Sequence, residues 1–173
     1  MKTEDIYKEI STRMLEGMML HDQLYQTYLY TGLSVYARRH LKHYKEEADA
    51  YARLAEYYIT QRNGMLLHII PQDPQAMPKT IYKRNRRDLT SQMKREIVRD
   101  CMNAWIEWER GTKELMERMY RELTILGEVS FAQELAEYIC DVDAEVREVE
   151  SEMEFLKSED YDLISIIIDQ PKK

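Results

Sequence analysis

Proline placement constrains this chain more than any other feature. Three of its four prolines, Pro71, Pro74 and Pro78, share one short window, and the fourth is Pro171. Long stretches on both sides of that window therefore carry no ring that would break a helix. Only five glycines accompany them, which leaves little material for a turn-rich β fold. A chain of 173 residues that is 44% hydrophobic and 33% charged suits amphipathic helices packed as one domain over 1–173.

The periodicity divides the chain into four helices. From Thr3, taken as N-cap, apolar residues recur at Ile6, Ile10, Met14, Leu20, Leu24, Tyr28 and Leu29, and Gly32 closes the helix. Ser34 is placed to cap a second helix, 34–62, with Val35, Leu41, Tyr44, Tyr51, Leu54, Tyr58 and Ile59 as its apolar positions and Asn63-Gly64 as its stop. The prolines and a basic stretch at Lys79, Lys83, Arg84, Arg86 and Arg87 mark 64–89 as a long crossover. A third helix, 90–126, carries Ile97, Cys101, Trp105, Trp108, Leu115, Met119 and Leu123. After Gly127, the Ser130/Gln133 spacing of a capping box opens a fourth, 130–157. The β-branched tail 161–169 reads as a short appendage on the bundle.

Several function classes find no support. A net charge of −7 disfavours general nucleic-acid binding, which needs clustered Lys and Arg to neutralise phosphate. No run approaches the roughly 20 apolar residues that span a bilayer, and the charged N-terminus has no apolar segment behind it. Cys101 and Cys140 lie in no metal-type spacing, so reduced thiols and a cytoplasmic location are expected. No phosphate loop, nucleophile elbow or Cys-plus-His arrangement is present. Thirteen tyrosines and eleven methionines at helical spacing read as core filling before they read as a binding surface.

Tyr25-Gln-Thr-Tyr28-Leu29-Tyr30 resembles the aromatic stretch of a ferritin first helix, and Glu56-Tyr-Tyr-Ile-Thr-Gln-Arg-Asn-Gly64 the end of its second. Glu107-Trp-Glu109-Arg with Glu114-Leu115 resembles the middle of its third. The resemblance spans roughly 6–157 and implies an all-α, ferritin-like, up-down four-helix bundle with a long second crossover. It also implies a ligand set, because related di-iron bundles use inward carboxylates and a Glu-x-x-His pair. On that register the set degrades: the first-helix glutamate falls on Gln23 and the Glu-x-x-His on Ala48 and Tyr51. Glu109 persists, with Asp141 and Glu145 on the fourth helix and Val142 between them.

A shifted register restores a metal set, since His43 stands one turn before Glu47. Glu47, Glu109, Asp141, Glu145 and His43, with Glu16 or His21 from the first helix, then form a candidate site for iron or another divalent metal. The simpler expectation is that Glu46, Glu47 and His43 form a solvated face, with His21 and His40 at its boundary. That expectation gives a bundle without cofactor or catalysis. It would bind a protein partner through its Tyr- and Met-rich surfaces, the basic crossover or the acidic fourth helix, or a second copy through the basic patch from Lys79 to Arg99 facing that helix; a resemblance to prophage-encoded proteins implies an inhibitor or adaptor. The alternative is a divergent di-iron carboxylate protein.

Overall fold

The structure, a computed structural model, describes residues 2–62 and 88–157. They form four helices: α1 (Thr3–Thr31), α2 (Ser34–Arg62), α3 (Ser91–Ile125) and α4 (Val129–Lys157). The boundaries expected from the sequence hold to within about a residue. The crossover, the Asn63-Gly64 stop, the basic residues from Lys79 to Arg87 and the tail lie outside the described residues.

The helix ends differ from expectation in their chemistry. Thr3 is the first helical residue of α1, after an N-cap Lys2 that makes no side-chain cap. Ser34 and Ser130 likewise lie inside their helices, because the residue before each helix already offers its carbonyl to the first turn: Leu33 to the Ala37 amide and Glu128 to that of Ala132. Thr90 does cap α3, its hydroxyl accepting from the Met93 amide at 3.2 Å. Gly32 closes α1 in the left-handed conformation, φ 81°, with the Leu33 amide bonded back to the Tyr28 carbonyl. Gly127, φ 76°, makes the corresponding turn between α3 and α4.

α1 and α2 pair antiparallel, as do α3 and α4, and α1 also packs on α3. α4 closes the bundle against α2 through Arg39 with Glu148 and Glu152 near one end and Arg62 with Glu128 at the other. α2 and α3 run the same way, so the end of α2 and the start of α3 lie at opposite ends of the bundle.

Two apolar clusters fill the interior. The upper contains Leu20, Leu24, Tyr28, Ile97, Met102 and Trp105; the lower contains Ile6, Tyr7, Ile10, Met116, Met119 and Phe131. The stripes expected on α1 and α3 are mostly those observed, although Leu29 is exposed. The stripe on α2 is not. Its buried residues are Tyr36, Ala37, His40, His43, Glu47, Ala50 and Leu54, whereas Ile59 faces solvent and the other expected positions except Leu54 are half-buried. Cys101 is buried in the upper core and Cys140 is exposed, both as free thiols.

Leu24→Ala should destabilise the fold by about 2–5 kcal/mol, since Leu24 is fully buried and its loss leaves a cavity. Thr90→Ala should cost only about 1 kcal/mol, the worth of one cap. Urea unfolding of both variants checks the order.

Candidate metal centre

Between the two apolar clusters every helix contributes polar side chains at one height. The spacings are helical: Arg13, Gly17 and His21 on α1; His40, His43 and Glu47 on α2; Glu109 and Thr112 on α3; Tyr138 and Glu145 on α4. His21 is 1% exposed, Glu109 2% and Glu47 9%. The solvated face expected for His43 and Glu47, and the boundary placement of His21 and His40, are thus both overturned. Glu46 alone of that group is exposed.

Local sequence explains how Glu47 enters the layer. Opposite it stands Gly17, where a Cβ atom would come within 3.1 Å of the Glu47 Cδ. The Tyr138 hydroxyl donates to Glu47 Oε1 at 2.8 Å, and Glu47 Oε2 is buried without a hydrogen-bond partner. Burial, reinforced by the charge of Glu145, pushes the Glu47 carboxyl up to about 7. Glu109 accepts from the Trp105 indole N–H at 2.8 Å and faces His21 Nε2 at 3.8 Å. Burial, then the nearby Glu145 and Glu47, hold it well above the usual carboxylate range.

The imidazoles are arranged by one another. His21 Nδ1 and His40 Nδ1 lie 3.0 Å apart, a hydrogen bond that requires the two neutral rings to hold opposite tautomers. Burial first, and neighbouring imidazoles second, depress His21 to about 3 and His40 well below the ordinary range. His43 Nδ1 points outward, 3.3 Å from both Glu46 Oε2 and Glu145 Oε1. Ligand atoms of these three residues all lie within 4.8 Å of one another.

A cleft of about 430 Å³ between α2 and α4 reaches this group. His21, His43, Glu47, Glu109, Tyr138 and Glu145 are among its lining residues, with Asp141 at the lip, exposed. The structure therefore brings His43, Glu47, Glu109 and Glu145 into one layer and leaves Asp141 at its rim. Gln23, Ala48 and Tyr51, read from the resemblance as ligand positions, are half-buried beside the layer.

Arg13, Gly17 and Tyr138 went unread in the sequence. A single arginine, glycine or tyrosine carries no metal signal, but the α2 spacing 40, 43, 47, 50, 54 does identify the inward face. Counting back from Leu54 would have placed His43 and Glu47 correctly.

No protein-family model and no curated protein matches the chain. Solved structures do. Apo-ferritin from Pseudo-nitzschia multiseries aligns with a TM-score of 0.74 at 9% identity, covering 95% of this chain and 96% of that one. Iron-soaked PmFTN with a glutamate replaced by glutamine gives 0.68 at 11% identity, covering 86% and 83%. Iron-soaked PmFTN with a glutamate replaced by alanine gives 0.68 at 9%, covering 86% and 84%. The chain is an all-α, ferritin-like four-helix bundle.

The buried acids make a pH signature. A carboxyl whose folded pKa is raised is protonated in the native state while ionised in the unfolded one, so its contribution falls as pH rises from about 4.5 to about 7, by on the order of 3 kcal/mol for Glu47. The depressed histidines act oppositely, losing stability as pH falls below about 6.5. Above that value the histidines are neutral in both states. Metal-free protein should therefore lose stability as pH rises from about 6.5 through about 7, and Glu109→Gln, which cannot ionise, should flatten the decline. Thermal melts in chelator across that range measure it.

Proposed function

We propose that the chain binds an oxygen-preferring divalent metal, iron foremost, in the polar layer of its ferritin-like bundle. The carrying observation is the convergence of His43, Glu46 and Glu145 within 4.8 Å, beside the unpartnered Oε2 of Glu47. This donor set fits the ion: several carboxylate oxygens and one imidazole suit iron or manganese. The ion would also supply the positive charge that these clustered acids lack.

The set departs from the Glu-x-x-His pattern of di-iron bundles on α2. Three residues after Glu47 stands Ala50, and the imidazole comes from His43, a turn before. Both placements put the ring on the same helical face as the carboxylate. The iron in the soaked PmFTN structures supports iron as the metal to try first.

A partner-binding role retains one observation. Ile125 is 79% exposed and Val129 69%, with Leu126 between them at the α3–α4 turn. Such a patch suits contact with another protein or a second copy. The acidic α4 is less available than expected, because Arg39 engages Glu148 and Glu152, and Arg110 engages Glu150. No helix among the described residues is long and apolar enough to cross a membrane.

After incubation with ferrous iron and desalting, the native chain should retain iron by elemental analysis. A His43→Ala, Glu145→Gln double variant should not. A metal in excess should also raise the melting temperature, with stabilisation of about 2.7 kcal/mol at a hundredfold excess over Kd. Native protein that retains no iron and melts unchanged would end the metal reading.

A further inference from the structure

The four helices do not approach one another equally. α1 packs on α2 and on α3, and α4 packs on α3, whereas α2 and α4 face each other across the cleft without close backbone contact. Side chains join them instead, in antiparallel order along the seam. Near one end Arg39 of α2 donates through Nη1 to Glu152 Oε2 at 2.8 Å and also engages Glu148. At the other end Arg62 pairs with Glu128. At both places α2 supplies an arginine and α4 the acid, so each rung carries a positive charge that no ordinary pH removes.

The middle of the seam is built differently. His43 and Glu46 come from α2 and Glu145 from α4, with His43 Nδ1 3.3 Å from Glu46 Oε2 and 3.3 Å from Glu145 Oε1. One nitrogen of a neutral imidazole carries at most one hydrogen, so it bonds one of these carboxylates at a time. Lys42 holds Oε1 of Glu46 at 2.9 Å, but it belongs to the same helix and does not cross the seam. Among the described residues no lysine or arginine forms an ion pair with Glu145. Two acids thus face each other from opposite helices, and a single imidazole between them offsets their repulsion only in part.

A divalent ion among these three ligand atoms, which already lie within 4.8 Å of one another, turns that repulsion into a shared attraction. Its ligands come from both α2 and α4, so it joins the helices at the height where they lack a basic rung. Glu47 and Glu109 line the same cleft, and the width of the seam governs how far solvent reaches them.

We propose that an ion held by His43, Glu46 and Glu145 is a removable rung between α2 and α4: its arrival draws the seam closed over the buried acids, and its loss lets the two helices part there. This rests on the metal-binding reading above. The arginine rungs persist in both states, so the opening is local to the polar layer and the bundle stays folded.

Zinc is the probe, since it is diamagnetic and accepts imidazole and carboxylate ligands. Two nitroxide labels on the full chain report the seam by pulsed electron double resonance. One sits on Cys140, the exposed thiol of α4, and the other on Ala52→Cys, an exposed position of α2; Cys101 is buried and stays unlabelled. Metal-free protein should give a broad distance distribution, and zinc should remove its long-distance component. Glu145→Gln, which takes away the ligand from α4, should keep the broad distribution at the same zinc concentration. Glu46→Gln, which leaves one ligand on each helix, should need more zinc but lose the long component at saturation. Circular dichroism and thermal melts establish that each variant is folded before it is scored. Zinc retained by the labelled chain, measured by elemental analysis, with an unchanged distribution would overturn the inference and leave the metal reading standing. So would a folded Glu145→Gln that loads zinc and narrows as the native residue does. A chain that takes up neither zinc nor iron would overturn the metal reading, and the inference with it.

Discussion

Burying two carboxylic acids at mid-height of an apolar bundle is the constraint around which the rest of the molecule is arranged. Each ion taken from water costs several kcal/mol, comparable to or more than the roughly 1.5–3 kcal/mol gained by burying a leucine. Glu47 and Glu109 lie between two apolar clusters that cannot solvate them. Their neighbours read as answers to that cost. Gly17 gives Glu47 room, Tyr138 and Trp105 donate to the two acids, and Arg13 supplies a fixed positive charge. The His21–His40 pair extends the same logic, with each ring satisfying the other and both staying neutral.

The two apolar clusters give this layer its rigidity. Trp105 belongs to the upper cluster while its indole N–H holds Glu109, so packing above the layer orients an acid within it. Ala50 and Leu54 of the lower cluster fix the rotation of α2 and turn His43 and Glu47 inward. The cleft lies along the α2–α4 seam, which ion pairs close above and below: Arg39 with Glu148 and Glu152, and Arg62 with Glu128. Such pairs contribute little stability singly, but they join α2 to α4 on either side of the opening. Glu148 and Glu152 of α4 are engaged in this closure.

The fold was legible in the sequence because confined prolines and long amphipathic runs leave few alternatives to four helices. Glycines with no Cβ penalty marked two of the turns at Gly32 and Gly127. The site was legible only as a second choice. Aligning α2 from its C-terminal string put Ala48 and Tyr51 inward, one residue away from the true face, and one residue is about 100° on a helix. The error was natural, since the inward face of α2 carries His40, His43 and Glu47, where an apolar stripe is the usual guide. Hydrophobic periodicity fails at the place where polar chemistry replaces apolar packing. Arg13 was invisible for a related reason, because a cation that belongs to a site through Trp108, Thr112 and Gly111 of another helix leaves no local pattern.

A layer of this kind is a poor way to make a bundle stable. Replacing buried ionisable groups by apolar residues of similar volume is often neutral or stabilising, and a half-satisfied polar network costs more than an apolar core. Here the network is incomplete at Glu47 Oε2, which has no hydrogen-bond partner and stands in the same layer as an imidazole flanked by two further carboxylates. Glu109 accepts from the Trp105 indole, and Glu46 is paired with Lys42. Under the metal reading proposed above, the incompletely satisfied corner that opens into the cleft would be completed by a positive ligand from outside. That ligand must be small enough to enter between α2 and α4, and it must favour oxygen donors with one nitrogen. A divalent metal ion meets both conditions.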